Sequence, residues 1–391
     1  MSAEQTGAHP GQTGGTLQPP PGPAQVALDI AHAAIGLSDP NPRVGCVITA
    51  ADPAAAWARG HTQQAGGPHA EVMALRAARE AGLNLQGATA WVTLEPCAHH
   101  GRTGPCCDAL AAAGIGRVVA ALTDPNPQVA GKGMARLAAA GVQTDILDAQ
   151  DDTAVQAREL NIGFFSRMER GLPWVRMKVA ASLDGQTALQ NGKSQWITGP
   201  EARADGHAWR ARACAILTGI GTVLEDDPLL NVRGMDTPRQ PHLVVVDSRL
   251  DMPLNAKLLD TQGTGDQDRQ IWIYTATTEH SDKRAALTAR GVTVIDCPGP
   301  GGKVDLAAMQ RDLARREINE LHVEAGHKLN GSFIREGLVD EFLVYLAPQL
   351  LGPGQGLANL PALTELRGAV QLAFHAVDRI GPDLRLLLRL A

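Results

Sequence analysis

The sequence predicts two α/β domains in one chain. Its 391 residues exceed the usual size of a single domain. From about residue 24 onward, helical patterns alternate with short apolar strands, which is typical of a mostly parallel or mixed sheet with helices on both faces. The turn RGLP at 170–173 interrupts this alternation. We therefore predict a flexible tail over 1–23, a first domain over 24–168 and a second over 172–391.

The first domain is built from the following predicted elements. A proline at position 105 suits the first turn of a helix, and Gly114 is a stop signal for it. A Gly-Gly-Pro sequence precedes the helix that begins near His69. The predicted helices span 24–38, 69–82, 105–113 and 152–166, with another between the last two strands, and the predicted strands span 43–49, 88–94, 117–122 and 142–147.

The second domain shows the same alternation. A Gly- and Asp-rich stretch at 261–269 is typical of a surface loop. The predicted strands span 174–180, 214–218, 242–247, 271–275, 292–295, 320–324 and 341–347, and the predicted helices span 200–213, 304–317 and 331–337.

Composition excludes several classes of protein. The net charge is −6 and aromatic residues make up 3% of the chain, whereas nucleic-acid binders usually carry a basic stripe with aromatic stacking platforms. No apolar run approaches the ~18 residues of a membrane span. The first 23 residues lack the basic and apolar regions of a secretory signal. These features predict a cytoplasmic protein that acts on a small molecule, without nucleic-acid or membrane partners.

Three of the six cysteines fall within one short segment. Cys97, Cys106 and Cys107 surround His99 and His100, and disulfides are a poor explanation in a long chain without an export signal. Such clustering indicates a metal site or catalysis. The remaining cysteines are expected to be structural, and Cys46 lies within an apolar strand pattern; they are Cys46, Cys214 and Cys297.

The spacing His69-x-Glu71 followed by Pro96-Cys97 and Cys106 matches zinc deaminases of nucleobases, although their second spacing is commonly two residues rather than eight. Catalytic zinc takes three protein ligands and leaves one position for water. One imidazole and two thiolates satisfy that number. A helix start favours thiolate at Cys106. Glu71 is spaced to reach the zinc-bound water and to carry its proton to a leaving amine.

A structural zinc site is the alternative interpretation. Such a site is closed by four ligands, and His99, His100 or Cys107 could supply the fourth. We expect Cys106, the first cysteine after the proline, to be the ligand and Cys107 to pack inward. Glu71 discriminates between the two interpretations, because a structural site has no use for an unligated carboxylate beside the metal.

Longer strings carry a resemblance to one family. The chain resembles the bifunctional riboflavin biosynthesis deaminase/reductases over about residues 24–391. A single departure lies in the zinc loop, where Gly104 replaces the proline of the family's TPPC sequence and loosens the backbone without removing a ligand. The matching strings are NPRVGCVI (41–48), PHAE (68–71), TLEPCAHHGRTGPCCDAL (93–110), TDPNPQVAGKG (123–133), KVAASLDGQTA (178–188), SQWITGPEAR (194–203), LTGIGTVLEDDPLLNVR (217–233), VVVDS (244–248) and VEAGHKLNGSFIREGLVDE (323–341).

This resemblance implies a cytidine-deaminase-like three-layer domain followed by a dihydrofolate-reductase-like domain. It implies that a phosphoribosylated diamino-pyrimidinone first loses its 2-amino group as ammonia, after which NADPH reduces the ribosyl portion to ribityl. His69, Cys97 and Cys106 would bind Zn²⁺, and Glu71 would move the proton. The resemblance also implies that Asn41 contacts the substrate. Reductase domains of this family commonly dimerise, so a homodimer or higher homo-oligomer is expected.

The second domain lacks the Gly-x-Gly-x-x-Gly fingerprint of a standard dinucleotide-binding fold. Gly-containing turns at 219–222 and 325–332 could instead cradle a pyrophosphate with backbone N–H groups. By resemblance, the NADPH site would consist of Ala180, Thr187, Trp196, Thr222, Asp226, Ser248, Gly326, His327, Lys328, Leu329, Asn330, Gly331 and Ser332. By resemblance, the substrate would be held by Ser194, Arg210, Leu230, Arg233 and Glu324, of which the arginines suit a phosphate monoester.

Each of these positions has a plainer interpretation, because an arginine on a helix is usually solvated and a tryptophan usually belongs to the core.

Two rival functions also fit the zinc motif. A deaminase of single-stranded RNA would share the metal site but needs a basic, aromatic approach surface. A non-catalytic zinc-stabilised binding protein would not need Glu71.

Overall fold

The computed structural model describes residues 22–52, 56–99, 104–260 and 269–391. The predicted tail up to residue 21, His100 and most of the predicted loop at 261–269 lie outside these residues. The chain forms two compact units. Unit 1 comprises the residues up to Ala33 together with Val44–Ala157, and unit 2 comprises Ala34–Arg43 together with Arg158–Ala391.

Unit 1 is built on a five-stranded sheet with the order β2-β1-β3-β4-β5. Strand β1 runs antiparallel to β2 and β3, whereas β3, β4 and β5 run parallel to one another. Its strands are β1 (Gly45–Thr49), β2 (Trp57–His61), β3 (Thr89–Val92), β4 (Arg117–Ala120) and β5 (Gln143–Ile146). Its helices are α1 (Pro23–Ala31), α2 (Ala70–Glu80), α3 (Cys106–Ala112), α4 (Lys132–Ala139) and α5 (Asp152–Leu160), the last of which continues into unit 2.

Two glycines show that helices cover both faces of this sheet. A Cβ at Gly45 would lie 1.9 Å from the carbonyl oxygen of Ala27 in α1. A Cβ at Gly60 would lie 2.6 Å from the carbonyl oxygen of Ala70 in α2. Gly60 pairs with Cys46 and therefore lies on the same face of the sheet as Cys46. Gly45, which precedes Cys46 in β1, lies on the opposite face. Helices α1 and α2 therefore pack on opposite faces and give the predicted three layers.

The sequence prediction for the first half needs three corrections. The helix predicted over 24–38 ends at Ala31 and passes into a short 3₁₀ turn. Strand β2 was not predicted. The helix predicted over 152–166 is two helices, α5 and α6 (Ile162–Arg170), because Asn161 leaves the helical conformation and its amide binds the backbone of Arg43 through both its oxygen and its nitrogen.

Unit 2 contains a nine-stranded sheet with the order β11-β10-β9-β8-β12-β6-β13-β16-β15 and a small β14-β7 pair. The sheet is parallel except at β16, which is antiparallel to both neighbours. Its strands are β6 (Trp174–Ser182), β7 (Gln186–Leu189), β8 (Ala215–Gly219), β9 (His242–Val246), β10 (Ile271–Thr275), β11 (Val292–Asp296), β12 (Glu320–Val323), β13 (Glu341–Ala347), β14 (Gly354–Gly356), β15 (Leu372–Ile380) and β16 (Asp383–Leu390). Its further helices are α7 (Pro200–Arg212), α8 (Ile220–Asp226), α9 (Ser281–Ala289), α10 (Leu306–Arg315) and α11 (His327–Arg335).

The central strands of this sheet are buried on both faces, as expected for a parallel sheet covered by helices. Strands β10 and β12 are buried along their whole length. The carboxyl ends of β6, β8, β9 and β12 meet at one edge of the sheet, where ligands of open α/β sheets bind.

The opposite edge of the central strands contains a buried ionic cluster. Glu320 at the start of β12 accepts hydrogen bonds from Arg43 at 2.5 Å, from Arg176 at 2.9 Å and from Arg212 at 2.9 Å. Burial alone would raise the pKa of Glu320, but the three guanidinium groups hold it well below its usual value. This cluster fixes the segment Ala34–Arg43, which we call the strap, in unit 2.

The prediction for the second half also needs corrections. Helix α11 begins at His327, four residues before the predicted start at 331. Gly331 lies within this helix and does not end it. Because glycine has no side chain, the backbone of Asn359 can pack closely against the helix at this position. Helices α8 and α9 and the strands β7, β14, β15 and β16 were not predicted.

Candidate metal centre and reductase cleft

The predicted metal ligands come together where α2, α3 and the end of β3 meet. His69 is the N-cap residue of α2, Cys97 lies five residues after β3, and Cys106 is the first residue of α3. Their candidate ligand atoms all lie within 4.8 Å of one another. The His69 Nδ1 atom is 3.6 Å from the Cys97 Sγ atom and 3.4 Å from the Cys106 Sγ atom.

These distances fit a zinc ion. Tetrahedral bonds of ~2.3 Å to sulfur and ~2.0–2.1 Å to nitrogen place the two ligand atoms about 3.6 Å apart. The backbone N–H of Cys106 also donates to the Cys97 Sγ atom at 3.4 Å, which favours a thiolate there. The donor set of one imidazole and two sulfurs is one that catalytic zinc sites use.

The two thiols of the centre do not ionise alike. The hydrogen bond between the two side chains lowers the pKa of Cys97 despite its burial, and the same interaction raises the pKa of Cys106. A bound cation would hold both sulfurs as thiolates.

Glu71 lies beside the ligands in the first turn of α2 and is only 3% exposed. Burial, together with the negative charge of Cys97, raises its pKa to about 7. A carboxyl group with a pKa near neutrality can both accept and release a proton, as a general acid–base catalyst must.

The described residues show three ligands in this cluster. Cys107 is buried, and its sulfur lies 3.8 Å from the Asp108 carboxylate, outside the ligand set. His99 is exposed and also lies outside the set. Cys46 is fully buried in β1, as the apolar pattern predicted.

A loop after β4 is anchored to the residue that precedes Pro96-Cys97. The buried Glu95 carboxylate accepts backbone N–H bonds from Asp124 at 3.2 Å, Gly131 at 2.8 Å, Gly133 at 2.9 Å and Met134 at 3.2 Å. Burial raises the pKa of Asp124 to about 7, with smaller effects from the negative charges of Glu95, Cys97 and Glu71. The string TDPNPQVAGKG is therefore part of the wall of the metal centre.

In unit 2, a cleft of about 500 Å³ opens at the carboxyl edge of the sheet. Eight of the thirteen residues predicted for the cofactor line it, as do all five residues predicted for the substrate. The cofactor residues in the cleft are Ala180, Thr187, Trp196, Thr222, Asp226, Gly326, His327 and Asn330, and the substrate residues are Ser194, Arg210, Leu230, Arg233 and Glu324.

The other five predicted cofactor residues do not line this cleft. Lys328 is exposed, and Gly331 packs against Asn359 on another side of α11. The Ser248 hydroxyl accepts the backbone N–H of Val304. Four of these five residues belong to the predicted run 326–332 and the fifth follows β9; they are Lys328, Leu329, Gly331, Ser332 and Ser248.

Glu324 is the electrostatic centre of the cleft. Its carboxylate accepts two hydrogen bonds from Arg210, at 2.5 and 2.9 Å, and lies 3.8 Å from the Lys178 Nζ atom. Burial opposes ionisation of Glu324, but Arg210 and Lys178 outweigh it and hold its pKa well below the usual value.

Lys178 is a cleft residue that was not among the predicted site residues. It lies in the middle of β6, where burial lowers the pKa of its ammonium group and Glu324 partly restores it. The one available signal was a second basic residue, after Arg176, in a predicted strand, since an unpaired lysine is seldom buried.

Two family models match the chain. Residues 24–122 match the cytidine and deoxycytidylate deaminase zinc-binding region, and residues 173–386 match the RibD C-terminal domain. The first match contains all three metal ligands and Glu71, and the second contains the whole cleft. The matches define the chain as a deaminase joined to a reductase.

Relatives match over nearly the whole length. The riboflavin biosynthesis protein RibD of Escherichia coli is 43% identical over 365 residues, which cover 91% of this chain and 95% of the relative. That of Haemophilus influenzae is 41% identical, covering 93% and 95%. The structure of Acinetobacter baumannii RibD, form 1, has 38% identity and a TM-score of 0.83, covering 94% of this chain and 98% of that one.

The chain belongs to the RibD family of bifunctional deaminase/reductases in riboflavin biosynthesis. This confirms the resemblance inferred from the sequence and the fold class, a cytidine-deaminase-like first domain followed by a dihydrofolate-reductase-like second domain. The chain has a zinc-binding type of deaminase domain. No helix in the described ranges is long and apolar enough to cross a membrane.

Proposed function

We propose that the metal centre deaminates 2,5-diamino-6-ribosylamino-4(3H)-pyrimidinone 5′-phosphate and that the cleft then reduces its ribosyl side chain with NADPH. The proposal is carried by the metal centre, in which His69, Cys97 and Cys106 lie together beside the buried Glu71. The same chain contains the cleft around Glu324. The chain is also similar to the crystal structure of a diaminohydroxyphosphoribosylaminopyrimidine deaminase/5-amino-6-(5-phosphoribosylamino)uracil reductase from Thermotoga maritima, with 27% identity and a TM-score of 0.80.

In the first reaction, water adds to C2 of the pyrimidinone, the bond to the 2-amino group breaks and ammonia leaves. Zinc, when bound by His69, Cys97 and Cys106, lowers the pKa of a bound water to ~7. Glu71 accepts the proton that this water loses and delivers it to the departing amine. Its buried carboxyl group suits both steps because its pKa is about 7.

In the second reaction, C1′ of the ribosyl group gains a hydride, the bond between C1′ and the ring oxygen O4′ breaks, and O4′ takes up a proton. NADPH, when bound, supplies the hydride. We assign the proton to Lys178, the half-buried ammonium of the cleft. Glu324 holds this ammonium in place, and Lys178 recovers a proton from solvent after each turnover.

We further propose that the cofactor lies along the eight predicted residues that line the cleft. Gly326 is the N-cap of the nine-residue helix α11, whose N-terminus favours a pyrophosphate. The substrate then occupies the side of the cleft that contains Ser194, Leu230 and Arg233. Asn41 remains a predicted substrate contact of the deaminase reaction.

The test is to incubate the protein with the diamino-pyrimidinone phosphate, with and without NADPH, and to follow product masses. Without NADPH, we expect an amino group to be replaced by oxygen and ammonia to be released. With NADPH, we expect the product to gain a further pair of hydrogens. Release of ammonia from single-stranded RNA but not from the phosphoribosyl compound would contradict the proposal.

We also propose a cytoplasmic enzyme that forms a homodimer or a larger homo-oligomer. Exposed apolar side chains on the edge strand β15 support self-association, since Phe374 is 66% and Val377 56% exposed. Sedimentation equilibrium would measure the number of copies, and a concentration-independent monomer would contradict this part of the proposal.

A further inference from the structure

His322 is a fully buried histidine on the strand that leads to Glu324. It lies in β12, two residues before Glu324 and two after Glu320. Because side chains alternate between the two faces of a strand, these three residues share one face of the sheet. On that face the register places His322 beside Arg176 of β6 and Ile216 of β8. His322 therefore lies between the ionic cluster at one edge of the sheet and the cleft at the other.

The imidazole of His322 is neutral at pH 7. Burial lowers its pKa; Glu324 opposes this effect, while the positive charges of Arg176 and Arg210 add to it. A neutral imidazole has one N–H donor and one acceptor nitrogen. The Nε2 atom lies 3.3 Å from the Oε1 atom of Glu324. Because a carboxylate can only accept, the proton of the ring belongs on Nε2.

The hydrogen bonding of this buried ring is incomplete. Among the residues that the structure describes, Nδ1 has no hydrogen-bond partner. The contact of Nε2 with Glu324 is close enough for a hydrogen bond but is not aligned as one. Burial of polar atoms without good partners costs stability, which an apolar side chain of similar size would avoid. The property that distinguishes His322 from an apolar core residue is therefore its polar contact with Glu324.

The carboxylate of Glu324 is contacted from two directions. Its Oε1 atom accepts from Arg210 at 2.5 Å and faces His322. Its Oε2 atom accepts from Arg210 at 2.9 Å and lies 3.8 Å from the Nζ atom of Lys178. Arg210 belongs to α7, so on its own it leaves the carboxylate free to follow that helix. A donor from the sheet fixes the direction in which Oε2 points.

We propose that the Nε2–H group of His322 donates a hydrogen bond to Oε1 of Glu324 and thereby holds Oε2 opposite the ammonium of Lys178. A small rotation of either side chain aligns the contact, since its distance already suffices. The inference rests on the proposed function, in which Lys178 supplies the proton of the reduction. It makes His322 a positioning residue that acts through Glu324.

Three variants of His322 separate this role from packing. In His322→Gln the side-chain amide can place an N–H group near the position of Nε2. In His322→Asn, the matched control, the shorter amide reaches only the position of Nδ1. His322→Leu removes both nitrogens at a similar volume. Steady-state reduction of the deaminated phosphoribosyl compound gives kcat and the KM of NADPH, and urea unfolding gives the stability.

For His322→Asn and His322→Leu we expect the kcat of reduction to fall by ~10-fold, the loss typical of one hydrogen bond to a charged group. His322→Gln should recover most of this loss. Deamination and the KM of NADPH should be unchanged in all three variants. His322→Leu should be at least as stable as the wild type, because it removes the poorly paired nitrogens.

A wild-type kcat in both His322→Asn and His322→Leu would overturn the proposal. Equal losses of kcat in His322→Gln and His322→Asn would instead assign His322 to packing. If His322→Leu does not fold, the comparison of the two amide variants still decides.

The pH dependence of reduction gives a readout that a packing role would not move. The charged and titratable groups that face Lys178 are Glu324 from β12, Arg210 and His207 from α7, and Tyr345 from β13. Burial lowers the pKa of Lys178, and Glu324 partly restores it. If the carboxylate is no longer held in place, this pKa falls further. Loss of activity at alkaline pH should then begin about one pH unit lower in His322→Asn, but not in His322→Gln.

Nuclear magnetic resonance of protein labelled with ¹³C-lysine measures the same pKa without substrate or NADPH. The signal of Lys178 is identified by its absence in Lys178→Met. A lower pKa of Lys178 in His322→Asn than in the wild type and His322→Gln supports the inference, and equal values in all three would contradict it. If the wild type does not reduce the aminouracil, the proposed function fails, whereas this comparison still tests the position of Glu324.

Discussion

The two sites differ in how they are assembled from the chain. The three predicted ligands and Glu71 come from two short segments between positions 69 and 106, which lie at two helix starts and after the end of β3. The cleft collects residues from Lys178 to Gln355 across many elements. Local spacing can therefore define the first site, whereas only the tertiary fold defines the second.

The largest expected effect tests the metal centre itself. Cys106→Ala removes one of three ligands, and we expect zinc content and deamination to fall below detection while reduction of pre-deaminated substrate continues. Cys107→Ala is the matched control, since the neighbouring sulfur lies outside the ligand set. Elemental analysis and ammonia release measure the outcome. Zinc loss in Cys107→Ala alone would reverse the assignment of the two cysteines.

The next effect separates chemistry from metal binding. Glu71→Gln should retain zinc and the fold but lose ~10²–10⁴-fold in the deamination rate, because the proton carrier is gone. Glu80→Gln, at the exposed end of the same helix, should behave as the wild type. Near wild-type ammonia release by Glu71→Gln would exclude the proposed role.

A corresponding test of the cleft is Lys178→Met, which keeps the length of the side chain but removes its proton. We expect the reduction rate to fall by ~10²–10³-fold, within the range for loss of general acid catalysis, and deamination to be unchanged. Lys303→Met, at an exposed position, is the control. If the variant changes the KM of NADPH but leaves kcat intact, Lys178 binds the cofactor and does not supply the proton.

The last prediction concerns the ionic cluster around Glu320. We expect little change in activity here and measure the free energy of unfolding instead. Glu320→Gln removes the negative charge that faces Arg43, Arg176 and Arg212, and we expect the free energy of unfolding at pH 7 to fall by about 3–5 kcal/mol. Because the folded pKa of Glu320 is lowered, its stabilisation is full above the unfolded pKa near 4.5 and declines as the pH falls further. The difference between variant and wild type in urea unfolding should therefore shrink on acidification.

The control for this measurement is Glu279→Gln, whose side chain is exposed. It should unfold with the wild type at every pH. A pH-independent loss in Glu320→Gln would mean that the cluster stabilises unit 2 through packing alone.

The metal centre could be predicted from the sequence because its geometry is set within single turns. His69 and Glu71 flank one helix start, and Cys106 follows a proline that begins another helix. Glu95 illustrates the limit: its four backbone partners lie 29–39 residues away, and no spacing rule connects them.

The cleft could be predicted only through the family resemblance, and then incompletely. The continuous run from Gly326 to Ser332 forms a helix, so only the residues on one side of it reach the cleft. Lys178 was missed because the charged groups around it, Glu324 and Arg210, come from elements far apart in sequence. The hairpin β15–β16 was missed because a bulge between Phe374 and Ala376 disturbs the alternation of β15.

The strap has a consequence for the evolution and engineering of the chain. The backbone passes between the two units three times, at residues 33–34, 43–44 and 157–158. A gene split after residue 168 would therefore leave these ten residues in the wrong fragment, and the reductase fragment would retain Glu320 without the guanidinium of Arg43. To separate the two domains, the reductase fragment would need a redesigned N-terminal connection or a synthetic peptide of residues 34–43 added in trans.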